Sequence, residues 1–412
     1  MKWETVKLGD VTDSCLGKML DQSKNKGTPQ PYLANVNVRW GSFDLDDLSE
    51  MRFEEHEQER YGLKYGDLVV CEGGEPGRCA IWKDEIPNMK IQKALHRVRV
   101  HDDMDYRYLF YWFLLAGKHG ALDQYFTGAT IKHMPGDKLK TIEIEKPPLP
   151  VQKRIADTLS AYDELIENNQ KQIKLLEEAA QRLYKEWFID LRFPGHESTP
   201  IHDGVPEGWE RKTVEECLQM HINGGWGKES PTAKNTIPGR VIRGTDINDV
   251  KSGNYSDIPL RFHTESDIRK RTLRPDDIVF ELSNGNLANI GRALFVDELL
   301  LQNCGDNTIC ASFCKLFRPV NRLHALMLYW EIQDMQLSGR MLPYKKHGAN
   351  GINNFDFEGF LAHELIVPTD SALLKPFRLV MQKKSNIQRQ LSLLREARDR
   401  LLPKLMSGEI EV

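Results

Sequence analysis

The chain is written twice, and this duplication constrains its fold more than any other feature, because each half must be a unit that builds its own core. Trp3-Glu4 opens one half and Trp209-Glu210 the other. Leu63–Val70 (LKYGDLVV) matches Leu273–Phe280 (LRPDDIVF), and Gly77-Arg78-Cys79-Ala80 matches Gly291-Arg292-Ala293-Leu294. Gly128-Ala129-Thr130-Ile131 matches Gly348-Ala349-Asn350-Gly351. An apolar strand ending in proline follows in each half, Ile142–Pro147 and Glu364–Pro368, and then a long helix. Trp209 lies 206 residues after Trp3, whereas Gly348 lies 220 after Gly128. A solenoid of short repeats would keep one period, so the drift indicates two globular modules with different loop insertions.

Within each module the short apolar runs Asp67–Cys71 and Asp277–Phe280 read as strands. Tyr106–Ala116 and Ala325–Gln336 are apolar enough for buried helices. The fold class is therefore α/β (mixed α+β), with two similar modules separated by two long helices. The densest apolar run, Leu109–Gly117, is far too short to cross a bilayer. The opening MKWETVKLGD carries no apolar run behind its charges, so no signal peptide is expected and the chain reads as cytoplasmic. The 7 cysteines form no CxxC pair. Cys304, Cys310 and Cys314 have spacing unsuited to zinc, and Ile309 and Phe313 beside them suggest a buried strand.

The two helices carry narrow seams that alternate four and three residues. The first runs Ile155, Leu159, Tyr162, Ile166, Asn169, Ile173, Leu176, Ala180, Leu183, Trp187. The second runs Leu373, Phe377, Val380, Lys384, Ile387, Leu391, Leu394, Arg398, Leu401, Leu405. Two amphipathic helices could each pack on their own module. A two-position seam, however, suits one partner helix better than a broad core, so the two are expected to pack on each other, with Asn169 fixing register. Lys384 and Arg398 break the second seam, and Pro403 should end or kink its helix. Residues 151–188 and 371–402 would span about 57 and about 48 Å. Helices of that length could hold the two modules at a fixed separation.

Two stretches resemble a known family. Pro147–Ile155 (PPLPVQKRI) leads into Ile166–Gln170 (IENNQ) and Leu175-Leu176-Glu177, and the chain closes with Leu401–Ile410 (LLPKLMSGEI). Both are similar to the repeated central and C-terminal segments of the DNA specificity subunits of type I restriction-modification systems. The resemblance implies target recognition domains at 1–149 and 207–368, a central spacer helix at 150–190, a linker at 191–206 and a C-terminal spacer helix at 369–412. It further implies that each domain reads one half of a bipartite double-stranded DNA target. The helices would form an antiparallel coiled coil that sets the gap and docks two methyltransferase (modification) subunits, with restriction subunits as further partners. S-adenosylmethionine, Mg and ATP would then belong to those partners and none to this chain. Two departures stand out: Thr369-Asp370-Ser371 replaces the proline-rich lead, and Leu374-Lys375-Pro376 stands where Gln-Lys-Arg is expected.

A search for chemistry agrees with a reader rather than an enzyme. Asp67 with Glu72, and Asp277 with Glu281, imitate the acids of a metal-dependent nuclease. The lysine such a core needs is replaced by Gly74 in one half and Ser283 in the other, so the aspartates read as turn residues before a strand. Pro147-Pro148 is followed by leucine rather than an aromatic, and Gly73–Gly77 lacks dinucleotide spacing. There is no P-loop and no HExxH, and His196 and His202 sit in linker sequence. No catalytic or metal-ligating residue is assigned.

The formal net charge of −4 does not exclude a local basic patch. Base edges and phosphates are read by cations and amides. Candidates in the first module are Lys24, Asn25, Lys26, Arg39 and, in the Thr130–His133 turn, Lys132. Those in the second are Asn223, Lys228, Arg240, Arg243, Arg269, Lys270, Arg271, Lys345 and Lys346. Any one of these could equally be solvated surface. Lys345–Asn350 holds the place in its module that Thr127–His133 holds in the first, which strengthens both. Two competing readings are a self-sufficient enzyme with a degenerate nuclease core and a duplicated coiled-coil protein adaptor without base reading.

Overall fold

The computed structural model describes residues 3–46, 48–348 and 351–412, so Ala349 and Asn350 of the repeated glycine turn lie outside the described residues. The chain forms two compact units, one running to Leu165 and including Arg395–Val412, the other spanning Ile166–Leu394. The five sequence segments, 1–149, 150–190, 191–206, 207–368 and 369–412, are thus distributed over two bodies that each contain part of both long helices.

The first unit has a four-stranded antiparallel sheet in the spatial order Thr12–Leu16, Leu95–Val100, Leu68–Cys71, Cys79–Ile81. A second sheet orders Ser49–Phe53, Thr28–Leu33 and Lys90–Ile91, the last pair parallel. The second unit repeats both. One sheet runs Leu218–Asn223, Cys314–Pro319, Ile278–Glu281, Ala293–Phe295, and the other Leu260–His263, Ile237–Ile242, Ile309–Cys310, again with the last pair parallel. In these two sheets the duplication is one of topology, strand for strand. In each unit a first strand closes on the proline-ending strand: Glu4–Lys7 on Glu143–Lys146, and Trp209–Thr213 on Glu364–Pro368.

Helix Tyr106–Lys118 starts where the Asp105 side chain accepts from the backbone N–H of Arg107 and Tyr108, a cap that contributes about 1 kcal/mol. It buries Leu109, Phe113 and Leu114 against Leu68, Val70 and Val98 of the sheet. Its counterpart Arg322–Ser338 is capped by Asn321 and buries Leu326, Tyr329 and Trp330 with Phe280 and Phe317.

The aspartates of the imitation nuclease core are structural in both halves. Asp67 accepts the Lys64 N–H at 2.8 Å and grips Arg99, with Nε and Nη2 each at 2.7 Å. Asp277 accepts the Arg274 N–H at 2.7 Å and grips Arg318, with Nε at 2.9 and Nη2 at 2.7 Å. Both carboxylates are buried. Burial raises the Asp277 carboxyl above the ordinary carboxylate range, and Arg318 opposes it. The partner acid Glu281 is taken up by Arg292 and Asn284. Because the grip is bidentate, Arg318→Lys should lower stability by about 1.5–3 kcal/mol despite keeping the charge. An unchanged urea midpoint would disprove that role.

The central helix runs Leu149–Tyr184 and passes into a wider turn at Lys185–Ile189. It begins before Pro150, not after it, because a proline in the first turn has no N–H to leave unpaired. Gln152, fully buried, donates to the Pro147 carbonyl at 2.8 Å and accepts from the Asp105 N–H at 2.8 Å, so this glutamine ties helix start to domain. The terminal helix follows a tight turn at Ser371–Leu374 and runs Lys375–Met406. Pro403 does not end it. Losing one backbone hydrogen bond costs about 3 kcal/mol, but Leu402, Leu405 and Met406 are buried with Ile155, Ala156 and Leu159. Each such side chain contributes roughly 1.5–3 kcal/mol.

The helices pair as expected. Ile166, Ile173, Ile387 and Leu391 form a buried cluster flanked by Leu176 and Leu394. Leu183 and Val380 pack on the core of the second unit and Leu401 on that of the first. Tyr162 is half-buried and Asn169 buried. Lys384 and Arg398 do not interrupt the seam but occupy it as ion-pair partners, Lys384 with Glu177 and Arg398 with Asp163 at 2.6 Å. Tyr184 meets Phe377 with ring centroids 6.2 Å apart. Partner numbers fall on one helix as they rise on the other, so the coiled coil is antiparallel.

Cys304, Cys310 and Cys314 are buried and free, and burial pushes Cys304 to about 11 and Cys310 to about 12. Phe313, taken for a strand neighbour, is 59 % exposed, because it lies in the turn between strands Ile309–Cys310 and Cys314–Pro319. Among the described residues no helix is long and apolar enough to cross a membrane.

Candidate nucleic-acid interface

The polar candidates divide by what already holds them. In the first unit Lys24 and Lys26 are exposed on the loop before strand Thr28–Leu33. Asn25 between them accepts the Arg52 N–H at 2.7 Å and pins that loop to the sheet. Arg39 is turned to the fold: its Nη1 donates to the Val36 and Val38 carbonyls at 2.5 and 3.1 Å, and its Nη2 reaches Asp44 at 3.4 Å. Lys132 stays largely in solvent, 3.5 Å from Asp123 and over the Phe126 ring at 5.6 Å.

In the second unit Arg240 donates to the Ile258 carbonyl at 2.5 Å. Arg243 is gripped by Asp246 at 2.6 Å and reaches the Asp257 carbonyl at 3.0 Å. Arg271 pairs with Asp267 and donates to the carbonyl of Asn223, which ends its strand, at 3.0 Å. Lys345 reaches the Ala288 carbonyl at 3.3 Å and Gln336 at 3.1 Å, and its burial lowers its pKa. By contrast Lys228, Arg269, Lys270 and Lys346 are exposed, Lys346 beside Asp356 at 3.2 Å. The exposed set can meet phosphates without dismantling the fold, and the engaged set shapes the loops that carry it.

Sequence reading missed three features here. Arg261 lies over Trp226 at 4.6 Å and pairs with Glu229 at 2.9 Å, making an aromatic–cation platform on the Asn223–Lys228 loop. A glycine follows the equivalent strand in both units, because a Cβ on Gly17 would sit 2.4 Å from the Gln92 carbonyl oxygen and one on Gly224 2.2 Å from that of Ala311. Finally, the two glycine turns dock at one place in the topology: His133 bridges Gly73, and Asn354 pairs with Ser283, each partner two residues past its central strand. Equivalences across a one-residue insertion are invisible without the pairing.

Among the described residues, the remaining sequence candidates are held by turns and local contacts. Gly73–Gly77 is the turn joining strands Leu68–Cys71 and Cys79–Ile81. His196 Nδ1 contacts the Phe193 carbonyl at 2.9 Å. Glu54, His56 and Glu57 cluster at the surface, but Glu57 is already paired with Lys18.

Known proteins resemble the chain in sequence and in fold. The model of the type I restriction modification DNA specificity domain matches residues 1–178. The type I restriction enzyme MjaIX specificity subunit of Methanocaldococcus jannaschii is 27 % identical over 371 residues, 84 % of this chain and 78 % of that protein. The chain is similar to the DNA specificity subunits of type I restriction-modification systems. A second specificity subunit of that organism, MjaVIII, is 27 % identical over 316 residues, 74 % of this chain and 70 % of that one. The crystal structure of a type I S subunit from M. genitalium aligns over 98 % of this chain and 96 % of its own with a TM-score of 0.51 at 17 % identity, a likeness of fold. The family model covers only the first domain and most of the central helix of this chain; the second domain is tied to the first by strand order.

Proposed function

We propose that each recognition domain of this specificity subunit reads one half of a bipartite double-stranded DNA target, and that the paired helices set the gap and dock two methyltransferase subunits. Restriction subunits would join the same complex in the cytoplasm. The observation that supports this reading most is the repetition of one sheet topology, each copy with its own exposed cations: Lys24, Lys26 and Lys132 in one, Lys228, Arg269, Lys270 and Lys346 in the other. Two similar readers in one chain suit a target with two parts. Catalysis is assigned to the partners, with S-adenosylmethionine, Mg and ATP bound there, because Asp67, Asp277 and Glu281 are locked to Arg99, Arg318 and Arg292.

The test is methylome sequencing of cells carrying this chain and its neighbouring methyltransferase subunit, against cells lacking this chain. A bipartite methylated motif should disappear with the chain. No chain-dependent motif, with the methyltransferase active, would instead indicate a protein adaptor.

A further inference from the structure

Each recognition domain displays an isoleucine on its glycine turn. Ile131 is 65 % exposed and Ile352 44 % exposed. The sequence pairing of Ile131 with Gly351 is off by one residue. A Cβ on Gly128 would lie 2.2 Å from the Ile131 carbonyl oxygen, and one on Gly348 1.7 Å from that of Ile352. The residues after each isoleucine keep the register: His133 and Asn354 bridge to the hairpin, and Met134 and Phe355 are buried.

A lone exposed apolar residue needs no explanation. Here the same β-branched side chain stands at the same place twice, on turns that share an opening Gly-Ala but differ by one residue in length. Full burial of an isoleucine would contribute roughly 1.5–3 kcal/mol, and this partial exposure forgoes a good share of it. Two residues after each isoleucine the chain pairs with the sheet hairpin, His133 with Gly73 and Asn354 with Ser283, which fixes where each side chain is presented. Cations flank both: Lys132 beside Ile131, and Lys346 on the strand leading into the turn of Ile352. An apolar tip among lysines complements a groove, where phosphates take the charge and a base offers an apolar face or a thymine methyl.

We infer that Ile131 and Ile352 are matched base-contacting residues, each pressed against the apolar face or methyl group of a base in its own half-site. This rests on the DNA-reading assignment above.

The experiment uses the full chain assembled with its methyltransferase subunit, and duplexes carrying the motif found by methylome sequencing. Ile131→Ala and Ile352→Ala should each weaken binding to the cognate duplex about 10-fold, within the range of a base contact. Neither should alter the slope of log affinity against log salt, whereas Lys132→Ala and Lys346→Ala should each reduce it by about 1. Ile131→Val and Ile352→Val should retain most of the affinity. Replacing half-site thymines by uracil should reproduce the alanine loss if a methyl group is the partner. A 2-aminopurine probe that brightens only with the isoleucine present would instead identify an opened base step. Alanine variants that melt normally and bind cognate DNA like the parent would overturn the inference, as would loss of subunit assembly with DNA affinity intact. A parent complex without any bipartite motif would overturn the DNA-reading assignment itself.

Discussion

Lys384→Met will lower the stability of the chain by about 3–5 kcal/mol, read as a fall in the urea midpoint, because it strands Glu177 in the helix seam. The Lys384 side chain is 7 % exposed and that of Glu177 25 %. Burial alone would lower the lysine's pKa and raise the glutamate's, yet the lysine is raised, by Tyr329 and Glu177, and the glutamate is lowered, by Lys384 and Lys251. The pair therefore contributes across a defined window. The share of Glu177 is present above its unfolded value of 4.5 and is lost as pH falls through its depressed folded value. That of Lys384 is present below 10.5 and is lost as pH rises through its raised folded value. Replacing both partners by leucine should return stability to near the parent, since an apolar pair needs no desolvation of charge. A single variant within about 1 kcal/mol of the parent would show that the pair is ornamental.

Inserting one heptad into both helices at matched places, after Gln170 and before Leu391, will lengthen the gap of the methylated motif by about three base pairs. Seven residues preserve the alternation of four and three, so the seam of Ile166, Ile173, Ile387 and Leu391 stays closed. They add about 10 Å at ~1.5 Å per residue, and B-DNA rises about 3.4 Å per base pair. The half-sites themselves should not change, because no recognition-domain residue is touched. Methylome sequencing reads the gap directly. The same gap in an active complex would refute the ruler.

Periodicity carried the helices, because a seam of Ile166, Ile173, Ile387 and Leu391 has one physical use. It misjudged Lys384 and Arg398, since a residue-type rule sees two charges and not their partners Glu177 and Asp163 on another helix. It misjudged Pro403 for a related reason: local propensity opposes the helix there, and the burial that overrides it is tertiary. Strands were legible where short apolar runs are fully buried, as at Leu68–Cys71 and within Ile278–Glu281. The interface was the least legible part. Arg240, Arg243 and Arg271 look like DNA ligands in sequence, but their donors go to Ile258, Asp246 and Asp267. Ile131 was legible only as part of a repeat and Ile352 not at all, because an isoleucine reads as core until its exposure is known.

The closing strands have a further consequence. Glu4 faces Lys146, and Trp209 faces Pro368, so each domain's entry and exit strands run side by side, about 5 Å apart. A segment whose two ends are neighbours can be excised and replaced as a cassette without stretching the chain around it. The natural cut points fall just outside those strands, before Glu4 and after Lys146 in one domain, before Trp209 and after Pro368 in the other. Recombination at such seams would trade one half of the recognised sequence for another in a single step, leaving the helices and their spacing untouched.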